Sequence, residues 1–128
     1  RTFTAKVMTA LIESPHEDVR RFAANCLPMV SASIAKDVSF DLLIDEKAQV
    51  RVAALRSIGI RRPDNWVVVM ERSLRDEEFL IQRVALESLL NDPARGYPVL
   101  IKFAQKKPGS PISGGIRAEL ARRNVLVP

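Results

Sequence analysis

Residues Asp45–Gly59 read D-E-K-A-Q-V-R-V-A-A-L-R-S-I-G. The stretch opens on a residue suited to a helix N-cap and places Val50, Ala54 and Ile58 four residues apart on one helical face. It closes on Gly59, which the sequence predicts as the left-handed residue that ends the helix. The pattern occurs twice more. Ser14 leads to Val19, Ala23 and Leu27, and Asp76 leads to Ile81, Ala85 and Leu89, with spacings of 45 − 14 = 31 and 76 − 45 = 31 residues. A self-similar period of this length means stacked supersecondary units, each unable to bury its apolar face alone.

Between these helices lies a second set in the same register. Val7, Val38, Val69 and Leu100 are spaced by 31, as are Leu11 and Leu42, and Ile12, Leu43 and Leu74. The order is a second-type helix, three pairs of first- and second-type helices, then a last first-type helix. The predicted boundaries are a half repeat over 1–13, repeats over 14–44, 45–75 and 76–109, and a half repeat over 110–128, all in one domain. The expected class is all-α, with about seven or eight helices and no strands.

Local signals punctuate the register. Ser14-Pro15-His16-Glu17 reads as a capping box with proline at the first helical position. The helix it opens is expected to bury Val19, Phe22, Ala23, Cys26 and Leu27, and to stop or bend at Pro28. Ser31 starts the next helix. Arg61 and Arg62 fall in a turn before Pro63, where the following helix begins with Trp66 inward. Asp76 caps a helix to Leu90. Asn91-Asp92-Pro93 breaks the chain before a helix that carries Tyr97, Leu100, Ile101 and Ala104. Ser113 reads as the cap of the last helix.

Composition narrows the function classes. The chain has 128 residues, of which 47% are hydrophobic but only 5% aromatic, so the core must be aliphatic. One cysteine, Cys26, excludes an internal disulfide and gives no metal-ligand spacing. His16 is the only histidine and has no nearby nucleophile. No phosphate loop, dinucleotide fingerprint or zinc motif is present, so no cofactor, metal or catalytic residue is assigned. No apolar run approaches the ~18 residues of a membrane span and no secretory signal is visible, which makes the expected location cytoplasmic. Arg1 in place of an initiator Met points to a fragment or a processed product.

The net charge of +5 is unevenly placed. Residues 1–92 carry 13 Lys/Arg against 14 Asp/Glu, a net of −1. Residues 93–128 carry seven against one, a net of +6.

The pattern D-x4-V-R-x2-A, as in Asp45, Val50, Arg51 and Ala54, resembles the HEAT repeat, and its short form resembles the HEAT-like repeats, an armadillo-like helical class, found in bilin lyases and many bacterial scaffolds. The likeness weakens at Asp76, where Gln82 stands in place of the arginine, and at the C-terminus, where the spacing stretches to 116 − 81 = 35. The resemblance implies a right-handed α-α superhelix whose second-type helices line the concave face. It also implies that Arg20 and Arg51 belong to an Asp/Arg ladder between neighbouring repeats and are structural rather than ligand-binding.

The outward positions of the second-type helices change character along the chain. Phe40, Glu71 and Lys102 are equivalent; so are Asp41, Arg72 and Phe103, and Ile44, Arg75 and Lys106; Lys36, Val67 and Pro98 form a further set. The plain reading of these positions is a solvated face. The sharper reading is a groove whose C-terminal half, with Arg72, Arg75, Lys102, Phe103, Lys106 and Lys107, attracts acidic partners, while Val67, Val68 and Phe103 supply apolar contacts. The resemblance implies a non-catalytic protein-binding scaffold. Nucleic-acid binding through the basic end is the second reading, and part of a bilin lyase-like enzyme the third. The first helix offers Thr4, Ala5, Met8, Thr9 and Ala10 on its outer side, poor material for a solvent-facing cap. The expectation there is cover by further repeats or self-association with a second copy.

Overall fold

The computed structural model describes residues 4–128, whose regular secondary structure is helical, with no strand among them. Eight helices follow one another: α1 (Ala5–Ile12), α2 (Glu17–Asn25), α3 (Ala32–Leu43), α4 (Ala48–Arg61), α5 (Trp66–Ser73), α6 (Phe79–Leu90), α7 (Pro93–Lys106) and α8 (Pro111–Arg122). A 3-10 turn, Leu27–Met29, separates α2 from α3 and is set by Pro28. Phe3, whose helical spacing from Val7 and Leu11 predicts it on the first helix, lies outside the described residues.

The chain forms two compact units, one up to Pro63 and one from Asp64 to Pro128. In the first, α1 packs on α3 and α2 on α4, and the two layers close on each other. Its core holds Met8, Ala23, Leu27, Val38, Leu42, Val50 and Ala54, with Leu11, Ile12, Ile34 and Leu43 packed against it. In the second, α5 packs on α7 and α6 on α8, again in two layers. The inward stripe of first-type helices is buried as the register predicts at Ala23, Leu27, Val50, Ala54, Ile58, Ile81, Ala85 and Leu89, while Val19 is half-buried. Trp66 is a core residue, 1% exposed.

The three repeat starts share one local structure that differs from the expected N-cap. Ser14 Oγ accepts from the His16 N–H at 3.1 Å, Asp45 Oδ1 from Lys47 at 2.9 Å and Asp76 Oδ1 from Glu78 at 2.8 Å. These are turns closed over two residues, as short polar side chains favour. The helix itself begins three residues after each of them, behind His16, Lys47 and Glu78, whose backbones match to within a few degrees (φ/ψ −94/122, −94/123 and −90/123). Glu17 is therefore the first residue of α2 and not the partner in a capping box.

Other expectations shift for identifiable reasons. Gly59 lies inside α4; the left-handed residue is Arg62 (φ 51), because the helix runs on far enough for Arg61 to donate to the Leu27 and Val30 carbonyls, both at 2.8 Å. Phe22 is 53% exposed rather than inward. In α1, capped by Thr4, Met8 is fully buried and Val7 is 44% exposed, one residue out of the register of Val38. The exposed side of α1 is thus Ala5, Lys6, Val7, Thr9 and Ala10. Helix α5 starts at Trp66 and not at Pro63. Helix α7 starts at Pro93, behind Asp92, whose carboxylate accepts from the Arg95 N–H at 3.3 Å. Ser113 is not a cap: it is buried in α8 and donates to the Lys107 carbonyl at 2.6 Å, while Pro111 opens the helix.

Candidate functional site

The second unit is strongly polarised along its sequence. Residues 64–92 hold three arginines against seven acidic residues, a net of −4, and residues 93–128 hold a net of +6. By unit rather than by residue 93, the totals are +3 for 1–63 (ten against seven) and +2 for 64–128 (ten against eight). The basic character therefore marks α7 and α8 within a nearly balanced unit.

Many of those cations have structural work. Arg117 donates to the Ala104 carbonyl at 3.3 Å and so joins Ser113 in satisfying the C-terminal end of α7. Glu119 collects Arg123 at 2.8 Å and Arg122 at 3.5 Å. The hydrogen bond from Arg123 holds the Glu119 carboxyl below its usual range, against its own desolvation, and the Arg122, Arg123 and Arg83 charges add to the effect. Arg83 pairs with Glu87 at 3.6 Å. A shallow groove of about 180 Å³ lies among Arg83, Glu87, Leu90, Asn91, Glu119 and Arg123, and none of the sequence-derived site residues lines it.

The sequence-derived candidates sit on α5 and α7, which pack side by side. Arg72 on α5, Arg75 in the turn just past its C-cap Leu74, Lys102 and Lys106 on α7, and Lys107 at the α7 C-cap are all exposed. Lys102 and Lys106 stand one helical turn apart on the same side. Lys106 and Lys107 also lie where the α7 carbonyls end, a place that favours positive charge. Phe103 is the exception. It is 4% exposed and offers no surface contact. Its equivalents Asp41 and Arg72 extend to solvent from the same place in the repeat, whereas the apolar ring turns inward and carries the Arg75 guanidinium above it, 5.5 Å from the ring centroid. Of the expected apolar contacts, Val68 is exposed and Val67 half-buried.

Arg75 is thereby the most restrained cation of the face. Its Nη1 donates to the Glu71 carbonyl at 3.3 Å and its Nη2 lies 3.6 Å from Glu71 Oε2, with Phe103 beneath. Sequence reasoning paired neither contact, although Glu71 and Arg75 stand at i and i+4, the spacing that could have indicated one.

The remaining chemistry-bearing residues are quiet. Burial pushes the Cys26 thiol up, which keeps it protonated and poorly nucleophilic. Its repeat equivalent Ser57 is also buried and donates to the Ala24 carbonyl at 2.7 Å. His16 is exposed at the start of α2. No cluster of three His, Cys, Asp or Glu that could hold a metal occurs among the described residues. No helix among them is long and apolar enough to cross a membrane. No protein-family model, curated protein or solved structure matches the chain.

Proposed function

We propose that the chain is a stretch of right-handed α-solenoid that serves as a non-catalytic, cytoplasmic protein-binding scaffold, and that its partner is acidic and docks on the exposed face of α5 and α7. One observation carries the reading. Within a framework that repeats every 31 residues, the outward positions keep their place, exposed except for the half-buried Glu71, and change their chemistry: Phe40, Glu71 and Lys102 in one row, Ile44, Arg75 and Lys106 in the next. A core that repeats while one exposed row varies is what a solenoid used as a binding platform requires. The solenoid reading draws further support from the three matching repeat starts at Ser14, Asp45 and Asp76.

The second reading, nucleic acid on the same cations, is favoured by the net of +6 after residue 92. Against it, Trp66 and Phe103 are buried, so this face lacks an exposed aromatic platform for stacking bases. The test is charge reversal. A variant with Lys102, Lys106 and Lys107 changed to Glu should lose binding to an acidic peptide, while the same change at Lys6, Lys36 and Lys47 should leave it intact. Equal losses from both triples would show that only net charge matters. Preference of the unaltered protein for a DNA duplex over the peptide would favour the nucleic-acid reading.

A further inference from the structure

We infer that Arg75 is the specificity-determining residue of this face: it reads a carboxylate of the partner through its guanidinium fork, while Lys102, Lys106 and Lys107 supply attraction without orientation. This assignment rests on the reading of α5 and α7 as a surface for acidic protein segments.

The argument starts from how differently the cations are held. The three lysines end in point charges on flexible stems, and each loses rotamer freedom when a partner fixes it. Arg75 is already confined, by the Phe103 ring at 5.5 Å on one side and by Glu71 on the other. A group held in place before binding gives up less entropy on binding, and a planar guanidinium matches the two oxygens of a carboxylate where an ammonium cannot. The confinement is not closed, because the Arg75 side chain remains 47% exposed.

The contact with Glu71 gives the inference a direction that a structural role would not share. At 3.6 Å, Nη2 and Oε2 form an ion pair longer than a hydrogen bond, and both side chains are substantially exposed. A partner carboxylate would take the place of Glu71 and make shorter bonds to the same fork. Glu71 is then an internal competitor for the partner, and its removal should tighten binding. Of the three equivalent places, Ile44 carries no charge and Lys106 has no fork, so Arg75, in the turn after α5, is the one of the three that offers this arrangement.

The experiment measures binding of a short, labelled polyglutamate peptide by fluorescence anisotropy at low ionic strength, with a DNA duplex of similar charge beside it. Arg75→Lys keeps the charge and loses the fork, and should weaken peptide binding roughly tenfold, the loss expected for one charge-assisted hydrogen bond. Lys102→Arg should change little. Glu71→Gln should tighten binding about twofold, on the scale of a weak i,i+4 ion pair relieved. Circular dichroism of each variant establishes that the fold is kept, and Glu71→Gln gives an independent reading should Arg75→Lys disturb it. Arg75→Lys binding as well as the unaltered protein, or Glu71→Gln binding more weakly, would overturn the inference while the scaffold reading stands. Failure of the unaltered protein to bind the peptide would overturn both. Tighter binding to the duplex, indifferent to Arg75→Lys, would assign the face to phosphates and overturn both as well.

Discussion

Arg20 holds Asp45 with two of its nitrogens, Nε to Oδ2 at 2.7 Å and Nη2 to Oδ1 at 3.2 Å, and uses the third, Nη1, on the carbonyl of Ser14 at 3.0 Å. One guanidinium therefore ties the start of its own repeat to the start of the next. The geometry is a paired fork on a carboxylate that is only 8% exposed, the arrangement in which an ion pair carries direction as well as charge. It provides, within the first unit, the inter-repeat contact that the resemblance implies for Arg20.

The pair predicts a pH dependence. Burial alone would push the Asp45 carboxyl up, but the hydrogen bonds from Arg20 and from the Lys47 N–H, with the nearby Arg20 and Arg51 charges, hold it below the usual range. A group whose folded value is lowered contributes stability that is complete above the ordinary carboxylate range, about pH 4, and is lost as the pH falls through the folded value. Asp45→Asn keeps an oxygen for the Lys47 N–H and removes the charge. Its melting temperature should lie below that of the unaltered protein at neutral pH, and the gap should close on acidification below about pH 4. A gap independent of pH would show that the charge contributes nothing.

Two glycines should respond in opposite directions. A Cβ on Gly96 would stand 1.8 Å from the Leu89 carbonyl oxygen and 2.5 Å from its carbon, where only backbone movement could relieve it. Gly96→Ala should therefore cost about 3 kcal/mol or more, at the upper end of overpacking, and would push α7 away from α6. A Cβ on Gly114 meets nothing within 4 Å, and the residue sits exposed inside α8. Gly114→Ala should stabilise by about 0.5–1 kcal/mol through helix propensity. Urea denaturation of both variants checks the pair, and equal effects would defeat the argument.

Position 57 tests how the small buried residues are used. Ser57→Ala leaves the Ala24 carbonyl without its 2.7 Å donor and should cost about 1 kcal/mol. Ser57→Cys places there the residue found at the equivalent Cys26 and should cost less than Ser57→Val, which adds volume and no donor. Chemical denaturation that ranks valine as the mildest change would mean that packing, not the hydroxyl, decides the site.

The repeat framework was legible because it is written several times. A single Asp-to-Val spacing is weak, whereas Ser14, Asp45 and Asp76 with their three apolar stripes reinforce one another, and the structure buries most of those stripes. What failed was local. An N-cap and a two-residue turn use the same Ser and Asp side chains, so the sequence places the start of each helix two residues early. The one-residue offset that buries Met8 instead of Val7 recurs in α5, where Met70 is buried and Val69 half-buried, and the 31-residue spacing of the valines gives no sign of it. Phe103 was placed outside by its alignment with Asp41 and Arg72; equivalence of backbone place did not decide the direction of an apolar ring, and a ring beneath a guanidinium leaves no trace in spacing. Gly96 carries no sequence signal of its own, because its close approach is to the backbone of Leu89 in α6 and involves no side chain.

The departure at Gln82 yields the last prediction. Where the first two repeats have Arg20 and Arg51, the third has Gln82, which weakened the family likeness by sequence alone. The structure shows the three side chains meeting one shared demand. Arg20 Nη1 donates to the Ser14 carbonyl at 3.0 Å, Arg51 Nη1 to the Asp45 carbonyl at 2.7 Å and Gln82 Nε2 to the Asp76 carbonyl at 2.7 Å, each reaching back six residues to the turn that starts its helix. What the position needs is a long side chain ending in a planar N–H donor, because the carbonyl lies ahead of the first helical turn and receives no bond from the helix backbone. Gln82→Arg should be accepted with a change of stability within about 0.5 kcal/mol. Gln82→Met keeps the length and loses the donor, and should cost about 1 kcal/mol, with faster hydrogen exchange confined to the first turn of α6. A methionine variant as stable as the parent would mean that water serves the Asp76 carbonyl equally well and that the shared donor is incidental to the repeat.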